Sequence, residues 1–307
     1  MKELFKNMGP AAQLAIFILM IGLGLIIAAV IGVLFMVSGP EQNNMLLWVQ
    51  GISQIVMFLC PALLFAWLFH SGTGSFFQTG MRRWQIAPAL LAILIIIIAI
   101  PLVDFLTSWN ESLHLPEKLG HWEESMRQKQ ALSQDLMNGF LSRPGFGNML
   151  INLLVLAAIP AVCEEFVFRG VVQKTLVAWF RNPHAAIITT AAVFSLTHFE
   201  MFYFVPRFVL GIVLGYIFYY SQTIWASALA HFTNNAIIVI LTYAHNAGTL
   251  GIDPQNLHLP YAGAFAIGSL ILTALLMLFV IKICTKNTEN QKKIPFSEND
   301  ENNTTTN

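Results

Sequence analysis

The sequence predicts an all-α polytopic membrane protein with about eight transmembrane helices, and three observations carry that expectation. Of 307 residues, 56% are apolar and only 10% charged, with 16 Lys and Arg balanced by 16 Asp and Glu. A soluble domain carries roughly 25% charge, so this chain has too few charges to coat a water-facing surface. The apolar residues fall into eight runs close to the ~20 residues that a helix needs to cross the hydrocarbon core. Lys and Arg, finally, gather on alternate connections between those runs. The even charge balance also argues against a nucleic-acid partner, since no basic excess exists to neutralise phosphates. Cys60, Cys163 and Cys284 are far apart and form no CxxC pair, so neither a disulfide framework nor a thiolate metal site is indicated.

In chain order the runs are 13–37, 45–69, 86–106, 148–164, 185–199, 203–220, 224–243 and 261–284. The first is too long for a signal-peptide core and no small-x-small cleavage pattern follows it, so it reads as a retained span. The fifth is short. Gly22, Gly24, Pro61, Pro88, Pro160, Gly211 and Gly215 lie within runs, which membrane helices tolerate better than soluble ones. Pro160, one turn before Glu164, is expected to kink its helix and admit water. Gly211-x3-Gly215 is expected to let its helix approach a neighbour closely. Residues 1–147 then hold three spans and an outer loop, 107–146, of mixed charge, partly helical and lying at the interface. Residues 148–245 hold the motif-bearing helices, 246–285 the last span, and 286–307 a polar tail expected to be disordered and cytoplasmic. With the N-terminus inside, the inner segments hold Lys2, Lys6, Arg82, Arg83, Lys174, Arg181, Lys282, Lys286, Lys292 and Lys293. The outer side holds only Lys118, Arg127, Lys129 and Arg143, diluted by acids, so both termini are placed inside.

A carboxylate within a span costs at least ~2.5–3.5 kcal/mol on insertion scales. Asp104 and Glu200 fall near predicted outer ends, within reach of water. Glu164 and Glu165 do not: they follow an apolar run and precede Phe166, Val167 and Phe168, with Arg169 next. Glu165 and Arg169 are four apart, acid first, the favourable order for a helical ion pair. Glu164 is turned about 100° away and lacks that partner. Two readings fit: a structural ion pair with a spare acid, or a neutralised Glu165 beside a Glu164 that faces a wet cavity as a base or metal ligand.

Of eight histidines, His70, His114, His121, His184, His245 and His258 fall in loops or at span ends and read as interfacial. His198 and His231 lie in apolar context, and Asn235 follows His231 by one turn on the same face. Glu164 precedes the turn at 181–183 by about 17 residues and His198 follows it by about 15, which puts both roughly 22–26 Å from that turn. His231 is only ~12 Å past the next turn on that side, near Gln222 and Thr223. One site is possible if the first hairpin projects beyond the bilayer into the cytoplasm.

Glu164-Glu165-x3-Arg169, Phe194-x3-His198 and His231-x3-Asn235, in this order, resemble the CPBP family. These are the CAAX-protease and bacteriocin-processing intramembrane endopeptidases, related to type II CAAX prenyl endopeptidases and once called the Abi family. The resemblance covers about residues 148–245 and departs at no motif position. It implies an eight-helix fold with a cavity open to cytosol and membrane, and an intramembrane endopeptidase acting on membrane-associated peptides or proteins. It further implies that Glu164 activates a water while His198, His231 and Asn235 complete the site. Zinc is a possible cofactor of such enzymes, and Glu164, His198 and His231 would then be its ligands, three protein donors with water fourth. The HExxH spacing is absent, and a metal-free glutamate–histidine activation of water is equally open. Glu164 is assigned as the general base, His198 and His231 as holding the metal or, without it, the water, and Asn235 as a donor to the oxyanion.

Two rival classes remain. One is a non-enzymatic bacteriocin-immunity or scaffolding membrane protein. The other is an ion-coupled transporter that uses the same Glu and His set as a relay. Serine and aspartyl intramembrane proteolysis are disfavoured, because there is no GxSxG and no pair of intramembrane aspartates. A compact chain with no organelle signal reads as a protein of the bacterial cytoplasmic membrane.

Overall fold

Lipid offers no hydrogen-bond partner to a backbone, so apolar runs of this length form helices. The computed structural model describes residues 8–37, 45–70, 72–251 and 262–293, and among the described residues there are helices and turns but no strand. Seven helices are long and apolar enough to cross a membrane. They are α1 (Pro10–Phe35), α2 (Met45–Phe69), α3 (Arg83–Glu111), α5 (Phe146–Phe180), α7 (Met201–Ser221), α8 (Ile224–Asn246) and α9 (Ala262–Asn287). Between them lie α4 (Gly120–Leu141), which is polar, and α6 (Pro183–Leu196), which is apolar but only 14 residues long. The eight expected runs are thus eight helices, the fifth of them short. The chain is an all-α integral membrane protein.

Side chains that would be misplaced in water mark the lipid-facing surface. Leu19 of α1 and Leu278 of α9 are 73% and 62% exposed, while the helices between them carry the core. In that core Phe65, Ala66, Phe77, Phe168, Val171 and Phe194 pack together from α2, α5, α6 and the short helix Thr73–Phe77.

Two ends of the bundle are distinct. At one, the segment 72–85 is tied to the α7–α8 turn: Ile224 N donates to Gln78 O (3.3 Å), Trp225 Nε1 to Thr79 O (2.8 Å) and Gln85 Nε2 to Ser221 O (2.8 Å). At the other, α4 lies across the ends of α3, α7 and α8. Arg127 donates to Leu113 O (2.9 Å), Gln134 to the Tyr203 hydroxyl (2.6 Å), and Asn246 to Leu141 O (3.2 Å). Those three helix ends share one face, so α4 runs across the face and not through it. The expectation of partial helix in 107–146 is met there.

Prolines shape α2 and α5. Proline has no N–H and its ring crowds the carbonyl four residues back, so the preceding turn must widen. A π-helical stretch precedes each: Ile55–Leu59 before Pro61, and Leu153–Ala158 before Pro160. A third, Phe166–Gln173, follows Glu165 directly. Widened turns therefore lie on both sides of the two acids.

The polar end of the chain departs from expectation. The helix of α9 continues to Lys293, so 286–293 is helical and not a disordered start of the tail. The residues after Cys284 include no helix breaker before Pro295, and the span propagates into the polar stretch. Residues 294–307, and Lys2 and Lys6, lie outside the described residues.

Candidate active site

α5 brings Glu164, Glu165 and Arg169, and α8 brings His231. All four are buried, at 7%, 0%, 0% and 3% exposure. Charges so placed persist only when paired, and the pairing is specific. Arg169 Nη1 donates to Glu165 Oε1 at 2.7 Å, the i,i+4 pair that the spacing predicts. Arg169 Nη2 donates to the Gly211 carbonyl at 3.1 Å, and its guanidinium lies 5.0 Å from the centre of the Phe194 ring. One carboxylate, one carbonyl and one aromatic face thus receive this buried cation.

Glu165 has a second task that the spacing did not reveal. The same Oε1 accepts from His231 Nδ1 at 3.0 Å. A carboxylate fixes the tautomer of the imidazole it binds, so the proton sits on Nδ1 and the Nε2 lone pair is left over. Nε2 faces Glu164, whose Oε2 lies 3.8 Å away. That distance is too long for a direct hydrogen bond and suits a water that donates to both.

His198 follows α6, just past Leu196, and is half-buried. Its Nδ1 donates to Phe194 O at 2.9 Å, so its Nε2 is also the unprotonated nitrogen. Phe194 links the two imidazoles: its ring centre is 5.1 Å from that of His198 and 5.8 Å from that of His231, both edge-on. His198 lies within electrostatic reach of Glu164 and His231. Asn235, half-buried, sits one turn beyond His231; its Oδ1 accepts from Asn234 Nδ2 at 3.2 Å, which leaves its own NH2 to donate. Direct contact therefore joins Glu164, Glu165, Arg169 and His231, while His198 and Asn235 border them.

The height mismatch expected for His231 is taken up as an overhang. A Cβ on Gly170 would lie 3.6 Å from Ile224 Cδ1, so the first residue of α8 is level with Gly170 and residues 171–180 run on past it. Gly211 and Gly215 do what their spacing predicts. Added Cβ atoms there would meet Ala191 at 3.0 Å and Ile187 at 2.8 Å, so α7 lies directly on α6. Their carbonyls are also used, by Arg169 and by Gln173 Nε2 (3.1 Å).

The expected zinc ligands Glu164, His198 and His231 are not gathered as a metal site. Among the described residues no three His, Cys, Asp or Glu side chains converge closely enough to hold a metal ion. His231 is turned by Glu165 and His198 by the Phe194 carbonyl. The arrangement does not fit zinc.

Phe194, Gly211 and Glu165 in its second role are the parts that sequence reasoning underrated. The four-residue spacing of Phe194 and His198 was a signal for the first, since it puts ring and imidazole on one face.

No curated protein and no solved structure shows a significant match to the chain. Residues 146–237 match the family model described as Rce1-like, type II CAAX prenyl endopeptidase. That range contains every residue of the three short patterns, and over it the chain is similar to the Rce1-like family.

Proposed function

We propose that this protein is an intramembrane endopeptidase that hydrolyses peptide bonds of membrane-associated peptides or proteins, with Glu164 as general base. The observation that carries this reading is the pairing of Glu164 Oε2 with His231 Nε2 across 3.8 Å, inside a bundle where neither group is exposed. Both atoms are acceptors, and a water donating one proton to each is oriented with its lone pairs outward, toward a substrate carbonyl. Glu164 removes a proton as the water attacks. Asn235, one turn along α8, donates its NH2 to the oxygen that becomes negative, a donor without charge of its own. Glu164 returns the proton to the leaving amine.

The remaining groups hold this geometry. Glu165 keeps His231 in the Nδ1-protonated form, and Arg169 keeps Glu165 charged and fixed between α5 and α7. Of the two acids Glu165 is the one in direct contact with a cation, which leaves Glu164 to the water. His198, bordering the site on the Phe194 ring, presents a second imidazole acceptor to the water or to the leaving group. No step calls for a metal ion. The positive charges on the 174–181 and 82–83 segments support an orientation with that end and both chain termini in the cytoplasm, in a bacterial cytoplasmic membrane.

The test is a peptidase assay on protein reconstituted into vesicles with membrane-tethered peptides. His198→Ala, His231→Ala and Asn235→Ala are each expected to lower product formation at unchanged protein abundance, His231→Ala the most. Cleavage by all three at the parent rate overturns the reading. Ion flux that depends on Glu164, without cleavage, would favour the transporter.

A further inference from the structure

The carboxylate that holds His231 is engaged through one oxygen only. Glu165 accepts both of its hydrogen bonds at Oε1, from Arg169 Nη1 and from His231 Nδ1. Its other oxygen, Oε2, is buried and has no hydrogen-bond partner among the described residues. A carboxylate offers about four acceptor positions over its two oxygens, and a buried polar atom without a partner is unusual in a native protein. Arg169 directs its two terminal nitrogens elsewhere, Nη1 to Oε1 and Nη2 to the Gly211 carbonyl.

One hydroxyl lies beside this oxygen. α5 and α8 run antiparallel: Ile224 is level with Gly170, and two turns further along α8 His231 meets Glu165. Ser227 stands between them on the same face, because residues 224, 227 and 231 are spaced three and four apart. It is fully buried, and its side chain is within interaction reach of the Glu165 carboxylate. Ser227 Oγ donates to Ile224 O at 3.1 Å. That carbonyl already receives the helical N–H four residues on, so the bond is redundant there, whereas Oε2 has no donor. Hydrogen bonds to a charged acceptor are also roughly twice as strong as neutral ones. Packing gives no reason for a hydroxyl at this position, since Ala226, Ala228 and Ala230 around it are buried alanines. Ser227 carries the only hydroxyl between Thr223 and His231.

We propose that Ser227 is a positioning residue for peptide hydrolysis: its hydroxyl turns from the Ile224 carbonyl to Glu165 Oε2 and fixes the plane of that carboxylate, which aims His231 Nε2 at the water. A carboxylate held by one oxygen can swing about it, and one held by both cannot. The turn is a rotation about χ1 between staggered positions and moves no backbone. In this role Ser227 touches neither water nor substrate and acts through Glu165 and His231. The proposal rests on the endopeptidase reading but is also tested apart from it.

The experiment compares the parent with Ser227→Ala, which removes the hydroxyl from an alanine-lined face, and with Ser227→Cys, which keeps a similar volume and is a much weaker donor. Cleavage of membrane-tethered peptides in vesicles is expected to show kcat about tenfold lower in both, the scale of one hydrogen bond. KM and the unfolding temperature are expected to match the parent's. Nitrogen-15 NMR of histidine-labelled protein, with His231 assigned by its loss in His231→Ala, is expected to show one Nδ1-protonated tautomer in the parent. Both variants are expected to show a mixture of tautomers. Parent kcat in either variant, or an unaltered His231 signal, overturns the proposal. So does a loss that falls on KM or on the unfolding temperature instead of kcat. If the parent cleaves no peptide the endopeptidase reading fails, while the His231 signal still judges Ser227.

Discussion

A single carboxylate oxygen, Glu165 Oε1, connects the cation of α5 to the imidazole of α8, at 2.7 Å and 3.0 Å. Two changes at this residue separate its roles. Glu165→Gln keeps the volume but loses the charge that orders His231, and turnover is expected to fall about 10²-fold, the scale of a misplaced catalytic group, in steady-state peptidase assays. Glu165→Ala leaves Arg169 buried without its anion, and thermal unfolding in detergent is expected to show a loss of about 3–5 kcal/mol. The Glu165–Arg169 pair was legible in the sequence because helix geometry fixes residues four apart. The bond to His231 was not, since it depends on how α5 is rotated, and π-helical turns on either side of the acids set that rotation without leaving a mark in the 3.6-residue period. The convergence expected of three zinc ligands is not seen among the described residues, for a related reason. Ligand types can be counted in a sequence, whereas the directions of His198 and His231 are set by a carbonyl and a carboxylate. Zinc well below one equivalent in purified protein, and activity that survives a chelator, are therefore expected; a stoichiometric metal lost together with activity would contradict this.

Helix contacts are where glycine decides. At Gly211 an added methyl would stand 3.0 Å from Ala191 Cα, a backbone atom that cannot turn aside. Gly211→Ala is expected to push α7 from α6 and to lower stability by about 1–3 kcal/mol, measured by thermal unfolding, and to cut activity further by moving the carbonyl that holds Arg169. This approach was readable from Gly211-x3-Gly215 alone. The seating of α4 was not, because several of its anchors are backbone groups. Glu123 accepts from Leu115 N at 2.7 Å, from His114 and from Arg127 Nε (2.9 Å). Led by the backbone N–H of Leu115, then His114 and Arg127, these contacts hold its carboxyl down from 4.5 to about 2. A carboxyl depressed on folding stabilises the fold above its unfolded value and loses that contribution as pH falls through its folded value. Amide protection around 113–123 is accordingly expected to be full above pH 4.5 and to be lost toward about 2, with Glu123→Gln showing the loss already at neutral pH. Protection that stays level across that range would show that α4 is held by other contacts.

For the whole molecule, composition and run length were sufficient to count the helices, since lipid leaves a backbone few alternatives. The short fifth helix and the overhang of residues 171–180 past Ile224 explain how groups at unequal distances from their turns come to one depth. Both were anticipated, the first as a short run and the second as a projecting hairpin. The length of α9 was underestimated because polarity was taken for disorder where no breaker stood. What the fold builds is a buried carboxylate, Glu164, facing an imidazole that a second carboxylate holds in place, with lipid-facing helices around them. The turnover of Glu164→Gln, measured beside the parent protein in the same vesicles and after both are shown to unfold at the same temperature, tests this most directly. The side chain keeps its shape and loses only its capacity to take a proton, so a fall of about 10²–10⁴-fold is expected. Turnover within a few-fold of the parent would contradict the assignment of Glu164 as the base.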